Sequence, residues 1–295
     1  MKLKKIAVTT DFSAESRTAF AAAAALARRL SAELQVMHLA QVPPVVMAPW
    51  PEVGPYFLPE EVFTDVEKEL RELVASDPAF QGANAQPVLV RGDSVKDLAD
   101  HLAKESVELL IAAGHGFTGV KKLLLGSFAE KVLRWAPCPV VILRGDPVKE
   151  IAPKRILVPH DFSPPSRAAL NAARQWAKEF GAEVRLFFVV EESVGLYEYA
   201  AAMQGSFREY LEKVRLQSLE RFRRILREEW AGVESEAAAV IGSPLQEIRR
   251  EATEMKAELV VIGTHSRSGL ERLFLGSVAQ KVIEHAACPV LAVRG

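Results

Sequence analysis

The sequence predicts an α/β fold built twice, as two tandem doubly wound domains, each on a five-stranded parallel sheet of strand order 3-2-1-4-5. The first sign is an internal repeat. Shifting the chain by 150 positions aligns its halves with no net insertion: Ile6-Ala7-Val8 falls on Ile156-Leu157-Val158, Asp11-Phe12-Ser13 on Asp161-Phe162-Ser163, Gly92 on Gly242, Gly126-Ser127 on Gly276-Ser277 and Cys138-Pro139-Val140 on Cys288-Pro289-Val290. Second, short apolar runs alternate in each half with longer segments of helical period, the pattern of parallel strands joined by right-handed crossovers. Third, the fourth apolar run of each half, Leu109-Leu110-Ile111 or Leu259-Val260-Val261-Ile262, leads through small residues into a helix.

Each half opens on a strand, 5–9 or 155–159, that ends in Asp-Phe-Ser. Ser13 is the expected N-cap of an alanine-rich helix, and Ser163-Pro164 repeats the cap with proline at the first helical position. The second strand covers 34–39 or 184–190. After it the halves diverge. Residues 41–59 carry prolines at 43, 44, 49, 51, 55 and 59, which exclude regular structure and predict a surface excursion. The counterpart, 191–205, lacks proline and holds Tyr197, Tyr199 and Met203, so a difference in ligand or partner between the halves is expected here.

Helices follow at 60–75 and 206–230; in the second, Leu211, Val214, Leu219, Phe222 and Ile225 keep helical spacing while arginine and glutamate form a solvated face. The third strand, 86–90 or 237–241, ends at Gly92-Asp93 or Gly242-Ser243-Pro244. A third helix, the fourth strand, its small-residue loop, a fourth helix and a fifth strand at 140–143 or 290–293 complete each unit. The domains are expected at 1–145 and 154–295. Their linker, 146–153, is short and punctuated by proline, so the halves are expected to pack against each other as a pseudo-dimer.

Composition bounds the function. The 37 basic and 38 acidic residues leave a net charge of −1, which supplies no global attraction to nucleic acid or anionic lipid. The apolar segment after Met1-Lys2-Leu3-Lys4-Lys5 stops at Thr9-Thr10-Asp11, too short for a signal-peptide core, and the run from Ala19 to Ala27 falls far below spanning length. A cytoplasmic protein is expected. Cys138 and Cys288 sit at equivalent positions of separate domains, which argues for packing roles rather than a disulfide, and no His or Cys cluster has metal-ligand spacing.

In a doubly wound sheet the ligand lies beyond the carboxyl ends of the strands where the winding reverses, here between strands one and four. Asp11 and the loop starting at Ala113, or Asp161 and the loop starting at Gly263, then face one crevice. Small residues admit close backbone approach, and a helix start adds unpaired N–H donors, so the loop suits an anion. Ser127 with Glu130, and Ser277 with Gln280, fit a capping box; each serine hydroxyl can equally donate to a phosphate oxygen. Asp11 and Asp161 read either as acceptors for ribose hydroxyls or an adenine amino group, or as local turn residues. His115 and His265 either approach a phosphate or complete the loop's own hydrogen bonds.

Gly114-His115-Gly116-Phe117-Thr118-Gly119 formally matches a dinucleotide fingerprint, but it follows the fourth strand, and its counterpart Thr264-His265-Ser266-Arg267-Ser268-Gly269 does not repeat it. A Walker lysine motif and a nucleophile elbow are both missing.

Taken together, these residues resemble the universal stress protein family in its tandem two-domain form, over essentially the whole chain. ATP-binding members of that family carry G-x2-G-x9-G-[ST] after strand four and an Asp ending strand one. Here the first copy reads Ala113-x2-Gly116-x9-Gly126-Ser127 and the second Gly263-x2-Ser266-x9-Gly276-Ser277, each departing at one glycine. Both replacements are small, so close approach survives unless the position needs positive φ, at roughly 1 kcal/mol.

The resemblance implies an adenine-nucleotide-hydrolase-like fold binding ATP, with Mg²⁺, in both halves, and adenine contacts from the backbone at Leu39 and Val189. It also implies a regulatory or interaction module of the stress response and homodimerisation through strand five. A slow ATPase, or an interaction module without nucleotide, are the alternative readings.

Overall fold

The computed structural model describes residues 2–41, 60–114, 125–144, 148–192, 206–264 and 275–295. The chain divides into two compact units, Lys2–Ile151 and Ala152–Gly295.

In the first unit the elements run β1 (Lys5–Thr9), α1 (Ala14–Arg17), α2 (Phe20–Leu30), β2 (Glu33–Gln41), α3 (Glu60–Ser76), a 3₁₀ turn (Pro78–Phe80), β3 (Ala85–Gly92), α4 (Val95–Lys104), β4 (Leu109–Ala113), α5 (Ser127–Trp135) and β5 (Val140–Leu143). The strands lie side by side as β3-β2-β1-β4-β5, all parallel. In the second unit they run β6 (Arg155–Pro159), α6 (Pro164–Phe180), β7 (Glu183–Glu191), α7 (Ser206–Glu229), β8 (Ser235–Gly242), α8 (Pro244–Glu254), β9 (Leu259–Gly263), α9 (Ser277–His285) and β10 (Val290–Val293). Their order, β8-β7-β6-β9-β10, repeats the first.

Central strands are apolar on both faces because helices cover both. Ile6, Ala7 and Val8 of β1 and Ile156, Leu157 and Val158 of β6 are fully buried, whereas outer strand β3 exposes Gln86 and Arg91. Alanine lets helix α2 lie close to the sheet, burying Ala22, Ala23, Ala24 and Ala27 beside Phe20 and Leu26. The matched glycines Gly92 and Gly242 have a local cause. A Cβ at either would lie 2.4 Å from Asp97, which closes back on the start of α4, or 2.9 Å from Glu247 in the first turn of α8.

Several boundaries differ from expectation for visible reasons. The helix after Ser13 is broken at Thr18 and Ala19 into α1 and α2, while its counterpart α6, fixed by Pro164 and Pro165, runs unbroken to a left-handed Gly181 (φ 63°). Ser31 holds the same left-handed position in the first unit (φ 52°). Strands β4 and β9 extend through Ala113 and Gly263, expected as loop residues, because Ala113 pairs with Leu143 and Gly263 with Val293. Apart from Gln41, Glu191 and Glu192, the two divergent excursions lie outside the described residues. Burial pushes the thiol pKa of Cys138 up to about 12 and that of Cys288 to about 11, as suits packing residues. Among the described residues no helix is long and apolar enough to cross a membrane.

Candidate functional site

The site in each unit begins with a difference in strand length. Pairing of β1 with β2 ends at Thr9 opposite Met37, and pairing with β4 at Val8 opposite Ile111, yet β2 continues to Gln41 and β4 to Ala113. At ~3.3 Å per residue, β2 overruns β1 by roughly 13 Å. A notch therefore opens above the end of β1, between β2 and β4. The second unit repeats it: β6 stops opposite Phe187, while β7 reaches Glu191 and β9 reaches Gly263.

Hydrogen-bond alternation fixes what the notch presents. Glu33 N–H donates to Lys4 O (2.9 Å) and Met37 O accepts from Thr10 N–H (2.9 Å), so odd-numbered residues of β2 direct their backbone groups toward β1. Leu39 belongs to that set but lies beyond β1, so its N–H and C=O face the notch. Glu183 N–H to Lys154 O (2.9 Å) and His160 N–H to Phe187 O (2.9 Å) place Val189 in the same way.

At the floor stands the Asp-Phe-Ser turn. Asp11 Oδ1 accepts from Ser13 N–H (3.1 Å) and from the Ser13 hydroxyl, and Ser13 Oγ in turn accepts from Ser16 N–H (3.1 Å) to cap α1. Asp161, Ser163 and Ser166 repeat this arrangement at α6. Burial works against ionisation of Asp161, but hydrogen bonds from Ser163 and Ser166 outweigh it and hold the carboxyl below its ordinary range. It is a carboxylate at neutral pH. Phe12 (φ 65°) and Phe162 (φ 61°) take the left-handed conformation in both turns, which costs a bulky residue about 1–2 kcal/mol and is tolerated because the hydrogen bonds on either side over-determine the turn.

Opposite the aspartate, Gly126 N–H donates to Gly114 O (3.0 Å) and Gly276 N–H to Thr264 O (3.0 Å), tying each helix start to the end of its strand. The capping-box expectation is corrected here. Gly126 and Gly276 occupy the N-cap, and Ser127 and Ser277 are the first helical residues; neither cap has a side-chain hydrogen bond. Both serines are exposed, and among the described residues their hydroxyls have no hydrogen-bond partner.

The two small positions before these helices also separate. A Cβ on Gly263 would lie 2.5 Å from the Pro165 backbone, so this glycine admits α6 rather than a ligand. Ala113 carries its Cβ at the matching position and does not adopt positive φ. Gly276 has φ −57° and only Thr264 O, at 4.0 Å, near its missing Cβ; no described protein atom demands glycine there.

A pocket of about 280 Å³ brings Asp11, Leu39, Ala113 and Gly126 together with Thr10, Ser16, His38, Gln41 and Phe128. One of about 240 Å³ gathers Asp161 and Val189 with His160, Ser166, Phe188, Glu191 and Val278, without Gly263 or Gly276 in its lining. Predicted residues His115, Gly116, His265 and Ser266 lie outside the described residues. Sequence reasoning missed Ser16 and Ser166, although both stand five positions after the aspartate in the repeat. It also missed the pair Thr10 and His160. Thr10 Oγ1 accepts from Phe12 N–H (3.0 Å), and His160 Nδ1 accepts from Phe162 N–H (2.8 Å), so the imidazole carries its proton on Nε2, which is buried and has no hydrogen-bond partner among the described residues; its ring stands roughly perpendicular to that of Phe222. Burial lowers the His160 pKa to about 4.

The family model described as the universal stress protein family matches residues 2–144 and again 153–294. Universal stress protein MJ0531 of Methanocaldococcus jannaschii is 40% identical over 145 residues, 48% of this chain and 82% of that protein. A universal stress protein of Mycolicibacterium smegmatis is 28% identical over 296 residues, covering 98% of this chain and 96% of its own. The crystal structure of a universal stress protein from Archaeoglobus fulgidus shares the fold with a TM-score of 0.74 at 20% identity, over 100% of this chain and 99% of that one.

Proposed function

The chain belongs to the universal stress protein family, matched in both halves, and on that premise we propose that it binds ATP, or a related adenine nucleotide, in each of its domains, 1–145 and 154–295, as a nucleotide-dependent regulatory or interaction module. The observation that carries this reading is the notch above β1, where Asp11, the backbone of Leu39, Ala113 and the Gly126 helix start converge from four separate elements on one pocket.

Each part suits one portion of the ligand. A backbone N–H and C=O side by side at Leu39 or Val189 match the adenine edge, which offers an acceptor and an amino donor. The side chain of Asp11 or Asp161 accepts from ribose hydroxyls. The pocket of about 280 Å³ is below the ~300 Å³ at which sites for drug-sized ligands begin, so it suits the nucleoside, with phosphates running to the Gly-Ser helix start. There the N–H groups of the first turn, the partial positive charge of the helix and an uncommitted serine hydroxyl favour an anion. Among the described residues no group of three His, Cys, Asp or Glu could hold a metal ion, so a Mg²⁺ would be held chiefly by the nucleotide's own phosphates.

Mass spectrometry of nucleotide released from the purified protein tests the reading. Recovered adenine nucleotide, or a rise in melting temperature on adding ATP, is the expected result; neither recovery nor a shift at millimolar ATP would overturn it. Sustained phosphate release abolished by Asp161→Ala would point to turnover instead.

A further inference from the structure

At the amino-terminal end of the second sheet, away from the nucleotide notch, α8, α9 and β9 enclose a pocket of about 240 Å³. The repeat supplies its own control. Where the second unit has Ala252, Ala257 and His285, the first has Leu102, Val107 and Trp135, with Leu102 and Val107 1% and 5% exposed. Three successive reductions in side-chain volume open a space that the first unit fills.

What lines the space is not an accident of loose packing alone. Ile248, Val260 and Val282 form an apolar floor, while Arg249, Lys256 and His285 also line the pocket. Arg249 stands where the first unit has a buried Ala99. Among the described residues Arg249 and Lys256 join no ion pair, and neighbouring acids are engaged elsewhere: Glu247 and Glu254 with Arg250, Glu251 with Arg185, Glu258 with Arg155. His285 donates from Nδ1 to Lys281 O (2.8 Å), so it serves as part of the pocket wall, and the cationic groups of the lining are Arg249 and Lys256. An apolar cavity bordered by uncompensated cations selects for a molecule of matching polarity.

We propose that this pocket of the second unit binds a small amphiphilic anion, its short apolar tail on Ile248, Val260 and Val282 and its carboxylate or phosphate head on Arg249 and Lys256. The volume of about 240 Å³ limits the ligand to one smaller than a drug-sized molecule, for which sites begin at ~300 Å³. Its lining shares only Ile248 with that of the second unit's notch, and its polar groups are distinct from those there.

Calorimetric titration of the full chain with octanoate, and separately with octylamine, tests this. One saturable octanoate site per chain is expected, unaffected by ATP, with octylamine bound at least roughly tenfold more weakly. Ala252→Leu with His285→Trp, which installs the first unit's residues, should abolish binding. Arg249→Gln with Lys256→Gln, both at exposed positions and so harmless to folding, should weaken it roughly tenfold or more. No saturable octanoate binding, equal binding of octylamine, competition by ATP, or indifference to the Arg249 and Lys256 changes would overturn the proposal.

Discussion

At the scale of single residues, the repeat turns each site into an experiment on the other. Gly276 is the sharpest instance: its φ and its open surroundings make no demand for glycine. Gly276→Ala should therefore leave the melting temperature unchanged or slightly higher, since alanine restricts the unfolded chain. It should weaken ATP at the second site roughly tenfold, about 1.4 kcal/mol. A binding isotherm beside a thermal melt checks both, and a loss of stability without loss of binding would count against a phosphate position there. His160 gives a pH test. Its folded pKa of about 4 lies below the ordinary ~6.5, so the fold holds more tightly to the neutral ring. The contribution is complete above pH ~6.5, fades as pH falls toward about 4, and amounts to roughly 3 kcal/mol across that window. Urea melts of wild type and His160→Thr, the residue found at Thr10, should diverge in pH dependence within it. Much of this scale was hidden in the sequence. Asp11 and Asp161 were legible because they end a strand in both copies. The role of Ser127 was not, since a serine reads alike as N-cap or first helical residue until the preceding glycine is seen to take the cap.

At the scale of elements, the capping chemistry accounts for where helices start and stop. Ser13 and Ser163 cap as their spacing indicates, but the break of the first helix at Thr18 and Ala19 has no sequence signal stronger than its high helix propensity. Tertiary packing overrides propensity there. At the other end, Ser31 and Gly181 share a left-handed conformation, and a Cβ at Gly181 would meet nothing within 4 Å. Only backbone strain therefore separates the two residues. Gly181→Ala should cost roughly 1 kcal/mol, and Ser31→Gly should gain a similar amount, read from denaturant midpoints at constant m-value. Strand positions were legible from apolar runs, whereas strand ends were not. The overrun of β2 past β1, which makes the notch, runs two residues beyond the expected strand end at Leu39, through Ala40 and the polar Gln41, where the apolar pattern gives out.

At the scale of the whole chain, the doubling of the fold was legible from the 150-residue repeat, and the alternation of elements indicated a parallel sheet wound on both sides, but alternation alone does not select 3-2-1-4-5 over another doubly wound order. The sequence alone did not show that both halves carry a notch above the first strand of their sheet while differing at its opposite end, where the first unit has Trp135 and the second has His285. On the proposed function, two notches of the same design bind two nucleotides per chain. At a hundred times the dissociation constant each should stabilise its own unit by about 2.7 kcal/mol, visible as a rise in melting temperature with ATP. The most direct measurement is a calorimetric titration of the wild-type chain, Asp11→Asn and Asp161→Asn with ATP. Two equivalents bound by the wild type, and one strong site remaining in each variant, are the expected results. An absence of heat with the wild type, or two undiminished sites after either substitution, would contradict the account.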